Sequence, residues 1–219
     1  EKYLAAAGPG NFYTFYRVHN YHFAAYGAMF LGDSTRALAA AQGLVDAIPE
    51  PLLRVESPPM ADYLEGYIGM KQHVLIRFGR WAEIVAQPLP ADPALYCATT
   101  AMLHYAKGVA HAASGNVEAA AREREAFLAA RERVLPTRRL HNNLCVDLLQ
   151  VGAAMLDGEL EYRRGHFDVA FAHLRRAVEL EDSLLYDEPW GWMQPTRHAL
   201  GALLLEQNRL EEAEAGYRA

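Results

Sequence analysis

Cysteine is almost missing from this chain. Cys97 and Cys145 are the only two in 219 residues, they stand far apart, and no C-x-x-C or other metal-type spacing joins them. That argues against a disulfide framework and a thiolate zinc site, and the expected setting is a reducing, cytoplasmic one. Long apolar runs are missing too. No stretch reaches the roughly 18 residues a membrane helix needs, and no basic-then-apolar leader opens the chain. Basic residues are the minority, 21 against 27 acidic, for a net charge of -6, and Arg138-Arg139 and Arg175-Arg176 are only pairs. With no basic cluster to release counterions, neither a nucleic acid nor a membrane is the expected partner. Catalytic signatures are lacking as well: there is no Gly-rich phosphate loop, no G-x-S-x-G and no H-E-x-x-H. Whether the chain is an enzyme stays open, and a binding role is favoured. The first residue is not Met, so a fragment of a longer array is the expectation.

What is present is an ordinary globular composition, 52% hydrophobic and 22% charged, with Ala and Leu dominant and β-branched residues few. No run alternates with period two for long enough to predict a strand. Instead a helical pattern ends five times in a short turn, and a second helical pattern follows with a small or aliphatic residue five positions after the turn residue. The pairs are Gly32 with Ala37, Gly79 with Ile84, Gly115 with Ala120, Gly165 with Ala170, and Asn208 with Ala213. Glycine suits a helix C-terminus that needs positive φ, and asparagine is the next best residue there. The reading is a single all-α domain over 1–219, an alpha solenoid of about five helical hairpins.

The first hairpin is expected over about 13–31 and 34–47, stopped by Pro49 and Pro51. The second is expected over about 60–78 and 81–86, and the third from near Ala94 through Gly115 to about Val134. The fourth is expected over about 140–164 and 167–181, and the last from Gln194 or Pro195 to Glu206 and from Leu210 onward. Both end hairpins would expose an apolar face, which predicts self-association through the open ends.

These repeats resemble tetratricopeptide repeats, whose helix-turn-helix unit carries small and aromatic residues at set offsets. Leu200, Gly201, Leu204, Ala213 and Tyr217 match that pattern, as do Gly158, Gly165, Ala170, Leu174 and Ala177, with Gly108, Gly115 and Ala120 matching in part. The turn residues are 47, 36, 50 and 43 apart instead of about 34, which implies longer helices and loops. Within that family the chain is similar to a bacterial subgroup marked by Gly8-Pro9-Gly10-Asn11-Phe12-Tyr13-Thr14, His19-Asn20-Tyr21-His22-Phe23, Arg77-Phe78-Gly79-Arg80-Trp81, and Tyr186-Asp187-Glu188-Pro189 leading to Gly191-Trp192-Met193-Gln194-Pro195. The resemblance implies a repeat scaffold, with a further His-containing helical pair upstream in relatives, and it implies no particular activity.

In such an array the first helix of each hairpin lines the concave surface. Alignment on the turn residues assigns to that surface His19, His22 and Tyr26, then His73 and Arg77, then Tyr105, then Glu159, Tyr162 and Arg163, and last His198. His19, His22, Tyr26 and Met29 share one helical face, with Ala24, Ala25 and Ala28 opposite as the close-packing side. Arg77 and Arg163 suit a carboxylate, and the aromatic residues suit apolar anchoring, so the main reading is a groove for a partner peptide or small anionic ligand. The alternative is a metal-binding protein or metal-dependent enzyme, with His19, His22 and His73 holding a transition metal such as zinc or copper. Core or capping roles for His19 and His22 are equally open. Trp192 packs over the last hairpin or forms an aromatic lid on the groove. His141 is expected at a helix start, and Cys145 as a small core residue and not a nucleophile.

Overall fold

The computed structural model describes residues 2–8 and 13–218. Pro9, Gly10, Asn11 and Phe12 of the first family motif lie outside the described residues. The described residues are mostly helical, with almost no strand. A short α1 (Lys2–Ala7) precedes α2 (Tyr13–Phe30), which folds back into α3 (Ser34–Asp46). The four-residue α4 (Glu50–Leu53) leads to α5 (Met60–Ile68) and α6 (Met70–Arg77), and α6 turns into α7 (Trp81–Ala86). Three hairpins follow: α8 (Cys97–Ala113) with α9 (Val117–Arg131), α10 (Cys145–Arg163) with α11 (Phe167–Asp182), and α12 (Thr196–Glu206) with α13 (Leu210–Arg218).

The five turns are built alike. Gly32, Gly79, Gly115, Gly165 and Asn208 all have positive φ, between 57° and 81°. At each, the turn residue's N–H donates three residues back and the next N–H donates five back, as in Gly32 to Met29 with Asp33 to Ala28, or Asn208 to Leu205 with Arg209 to Leu204. This is the Schellman closure, which satisfies carbonyls that the helix end leaves open. The residue five positions after each turn residue, from Ala37 to Ala213, is then buried in the first turn of the returning helix. Alanine at four of these positions lets the two helices of a hairpin touch, and Ile84 fills the fifth.

Successive hairpins pack in sequence, α3 on α6, α8 on α10, and α11 on α12. One core runs from Val18, Ala25 and Met29 of α2 through Leu64 of α5 to Leu149 and Leu156 of α10, with Trp192 and Met193 inserted from the connection before α12. A second holds Phe171, Leu174, Leu200, Leu204 and Ala213 of the last two hairpins. Two buried glutamates tie hairpins together. Glu65 of α5 accepts from the Ala98 and Thr99 amides at 3.2 and 2.6 Å, and Glu181 of α11 accepts from the Thr196 amide and hydroxyl at 2.8 and 2.6 Å. Each carboxylate thereby caps the N-terminus of a helix in the following hairpin.

Three expectations are corrected. The segment from Met60 to Phe78 is two helices that meet at Gly69, where a Cβ would come 2.9 Å from Met102 Cγ of α8. The stretch expected to begin a helix at Leu140 is an antiparallel pair, β1 (Arg139–Leu140) and β2 (Asn143–Leu144). Here Asn142 N–H donates to Asp187, and Asn143 Nδ2 donates to Asp187 and to the Leu185 carbonyl. Those side-chain bonds compete with helix formation and delay α10 to Cys145. The face of α2 is also rotated from its expected orientation. His22 and Met29 are buried in the core beside Ala25 and Ala28, while Tyr16, Phe23 and Phe30 face outward.

Candidate functional site

Six of the residues assigned to a concave surface, His73, Arg77, Tyr105, Glu159, Arg163 and His198, line one cavity of about 300 Å³ together with Trp192. They come from α6, α8, α10, α12 and the connection before α12, so four hairpins contribute. Ile76, Trp81, Val109 and Met155 supply apolar wall between them. Trp192 is a buried wedge and not a lid. It makes T-shaped contacts with His73 at 4.5 Å and Tyr105 at 5.3 Å, and it packs over Gly152, where a Cβ would come 3.0 Å from the indole.

One unpaired cation sets the electrostatics of this groove. Burial pushes the His73 imidazole down to about 3, so it is neutral at pH 7, and its Nε2 is buried without a hydrogen-bond partner. Burial and the neighbouring Arg77 charge also lower His198, while burial, with Glu159 adding to it, raises Tyr105. Arg163 Nε donates to Glu159 Oε1 at 2.8 Å, one helical turn away. Arg77 forms no ion pair among the described residues, so its guanidinium is the uncompensated charge of the groove. Comparison with protein-family models, curated proteins and solved structures finds no match to the chain.

The remaining assigned residues lie elsewhere. Tyr162 is buried on the other side of α10, where its hydroxyl donates to Glu206 and accepts from Gln207. Tyr26 is half-buried against Phe30. His19 and His22 belong to a second cluster with His141, which has a φ of 51° at the β1–β2 turn. His22 Nδ1 is 3.3 Å from His141 Nε2, and the two rings lie within 13° of parallel with centroids 5.5 Å apart. That separation is too long for face-to-face stacking and fits an edge-to-edge bond in the ring plane.

The tautomers in this cluster follow from its ends. His22 Nε2 is 2.9 Å from Met193 Sδ, and a thioether only accepts, so Nε2 carries the proton. His22 Nδ1 is then the acceptor, and His141 Nε2–H must be its donor. His141 Nδ1 is left to accept from the Tyr67 hydroxyl at 3.1 Å, and the same oxygen lies 3.3 Å from Nε2. The result is one directed chain, Tyr67 to His141 to His22 to Met193. The shifts agree with neutral imidazoles and an intact phenol. Burial lowers His22 well below its ordinary value, helped by His141, His19 and His73; burial lowers His141 against the opposing pull of Asp187; burial raises Tyr67.

The expected His19, His22 and His73 metal triad is therefore not assembled. Both His22 nitrogens are spent in the chain, and His73 packs in a T-shaped contact against Trp192. No group of three His, Cys, Asp or Glu side chains able to hold a metal occurs among the described residues. Sequence reading missed Tyr67, Met193 and the true role of His141. No local pattern marks them, because they lie in segments 74 to 171 residues from their partners in the chain.

Proposed function

We propose that this chain is a tetratricopeptide-like helical scaffold, working in the cytoplasm, whose groove binds the carboxylate of a peptide end or a small anionic molecule. The observation that carries the reading is the unpartnered, buried Nε2 of His73 in the wall of a groove that also holds the unpaired Arg77. A buried polar nitrogen without a partner costs about 1–3 kcal/mol, and a ligand that meets it recovers that cost. Arg77 supplies the charge and the planar fork that a carboxylate matches. Trp81, Ile76 and Val109 offer apolar wall to the rest of the ligand. A cavity of about 300 Å³ sits at the small end of ligand pockets, which fits a chain end or a metabolite and not a whole helix.

Calorimetry with a mixture of short peptides bearing free C-termini, and with the same mixture amidated, tests this. The free-carboxylate set should bind, and amidation or Arg77→Gln should weaken binding by about tenfold or more, the equivalent of about 1.4 kcal/mol. Equal binding of both sets, or an Arg77→Gln variant that binds like the parent, would overturn the reading.

A further inference from the structure

A second cavity, about 330 Å³, opens between α2, α5 and the β1–β2 turn. Its walls are aromatic: Phe15 and Tyr16 come from α2, and Tyr63 and Tyr67, one helical turn apart, come from α5. Phe15 and Tyr63 already meet edge to face, with centroids 6.4 Å apart at 73°. The polar rim is His19, His141 and Arg139. None of these belongs to the groove described above.

Three independent features mark this cavity as built. His141 holds a left-handed backbone, a conformation that non-glycine residues rarely adopt and that recurs at functional sites. Its imidazole is held by the chain that runs from Tyr67 to Met193, and the Tyr67 hydroxyl oxygen lies within reach of both its ring nitrogens, 3.1 Å from Nδ1 and 3.3 Å from Nε2. Arg139 is exposed at the rim and takes part in no ion pair among the described residues.

Charge decides the class of ligand. An aromatic box of this kind would suit a quaternary ammonium, but a free guanidinium at its rim repels one. Asp187, whose charge is felt at His141, is buried and its oxygens already accept from the Asn142 amide and the Asn143 side chain, so it offers a cation no direct contact. Aromatic walls with a single unpaired guanidinium match a planar ring that carries one negative charge. We propose that this cavity binds a small aromatic carboxylate, with the ring among the α2 and α5 aromatics and the carboxylate on Arg139.

The test uses benzoate, its neutral isostere benzamide, and choline, titrated calorimetrically into the parent and into Arg139→Gln and Arg77→Gln variants, with melting curves to show that all three proteins are folded. Benzoate should bind the parent at least about tenfold more tightly than benzamide, and choline should not bind. Arg139→Gln should bring benzoate down to the benzamide level, and Arg77→Gln, in the separate groove, should leave benzoate unchanged. The proposal is overturned if benzoate and benzamide bind alike, if none of the three shows saturable binding at millimolar concentration, if choline binds best, or if Arg139→Gln keeps the preference. Loss of benzoate binding in Arg77→Gln alone would also overturn it, and would place benzoate in the groove.

Discussion

Gly158 of α10 presses its bare Cα against Leu174 of α11: a Cβ at position 158 would come 2.6 Å from Leu174 Cγ and 3.3 Å from the Ala170 carbonyl oxygen. Leu174 is fully buried and has no room to withdraw. Gly158→Ala should therefore overpack the hairpin and cost about 1–3 kcal/mol. At Gly201 a Cβ would meet the ring of Tyr217 at 2.5 Å, but that ring is half exposed and free to swing outward. Gly201→Ala should cost much less. Thermal melts of the two variants check the ordering, and equal losses would show that Tyr217 is as fixed as Leu174.

Acid should weaken the fold through His73. Its imidazole titrates near 3 in the folded chain against about 6.5 unfolded, so between those values the unfolded state binds more protons. The stability this group contributes is whole above about pH 6.5 and is lost as pH falls toward 3, by roughly 4–5 kcal/mol as an upper figure. His22 acts with the same sign. The raised carboxyls of Glu65 and Glu181 act with the opposite sign, gaining stability as they protonate. In urea melts across this range the parent should lose stability relative to His73→Phe as pH falls, and parallel curves would remove His73 as the cause.

Glu181 should prove to be a cap whose charge is dispensable. Its oxygen takes the amide and hydroxyl of Thr196, and burial raises its pKa, so ionisation is costly there. Glu181→Gln keeps an acceptor and should change stability by less than about 1 kcal/mol, while Glu181→Ala leaves the α12 amide unmet and should cost about 1–3 kcal/mol. Denaturant midpoints of both variants decide it, and equal losses would mean that the charge itself is needed.

Met193→Leu should cost more than its shape suggests. The swap conserves volume and would ordinarily cost below about 1.5 kcal/mol, but it removes the acceptor of His22 Nε2–H and adds about 1–3 kcal/mol for a stranded donor. In the His22→Phe background that extra loss should vanish, a coupling of at least about 0.5 kcal/mol in a double-mutant cycle. Additive losses would show that the contact is only packing.

The sequence by itself determined the local geometry. Gly32, Gly79, Gly115, Gly165 and Asn208 announced the five turns because positive φ selects residue type directly, and the small or aliphatic residue five positions on announced the hairpin contact. The groove was legible for the same reason. Its residues sit at equivalent positions of repeated units, so that aligning the turns aligned His73, Arg77, Tyr105, Glu159, Arg163 and His198 onto one surface. Tertiary structure alone decided the rest. Helical periodicity places His22 and Met29 on one face but does not say whether that face meets solvent or core, which depends on what α5 and the connection before α12 bring against it. The helix start expected at Leu140 gave way to a two-residue ladder because Asp187, more than 40 residues on, claims Asn142 and Asn143. The chain from Tyr67 to Met193 draws on four separate segments, and long-range pairing of that kind leaves no period in a sequence.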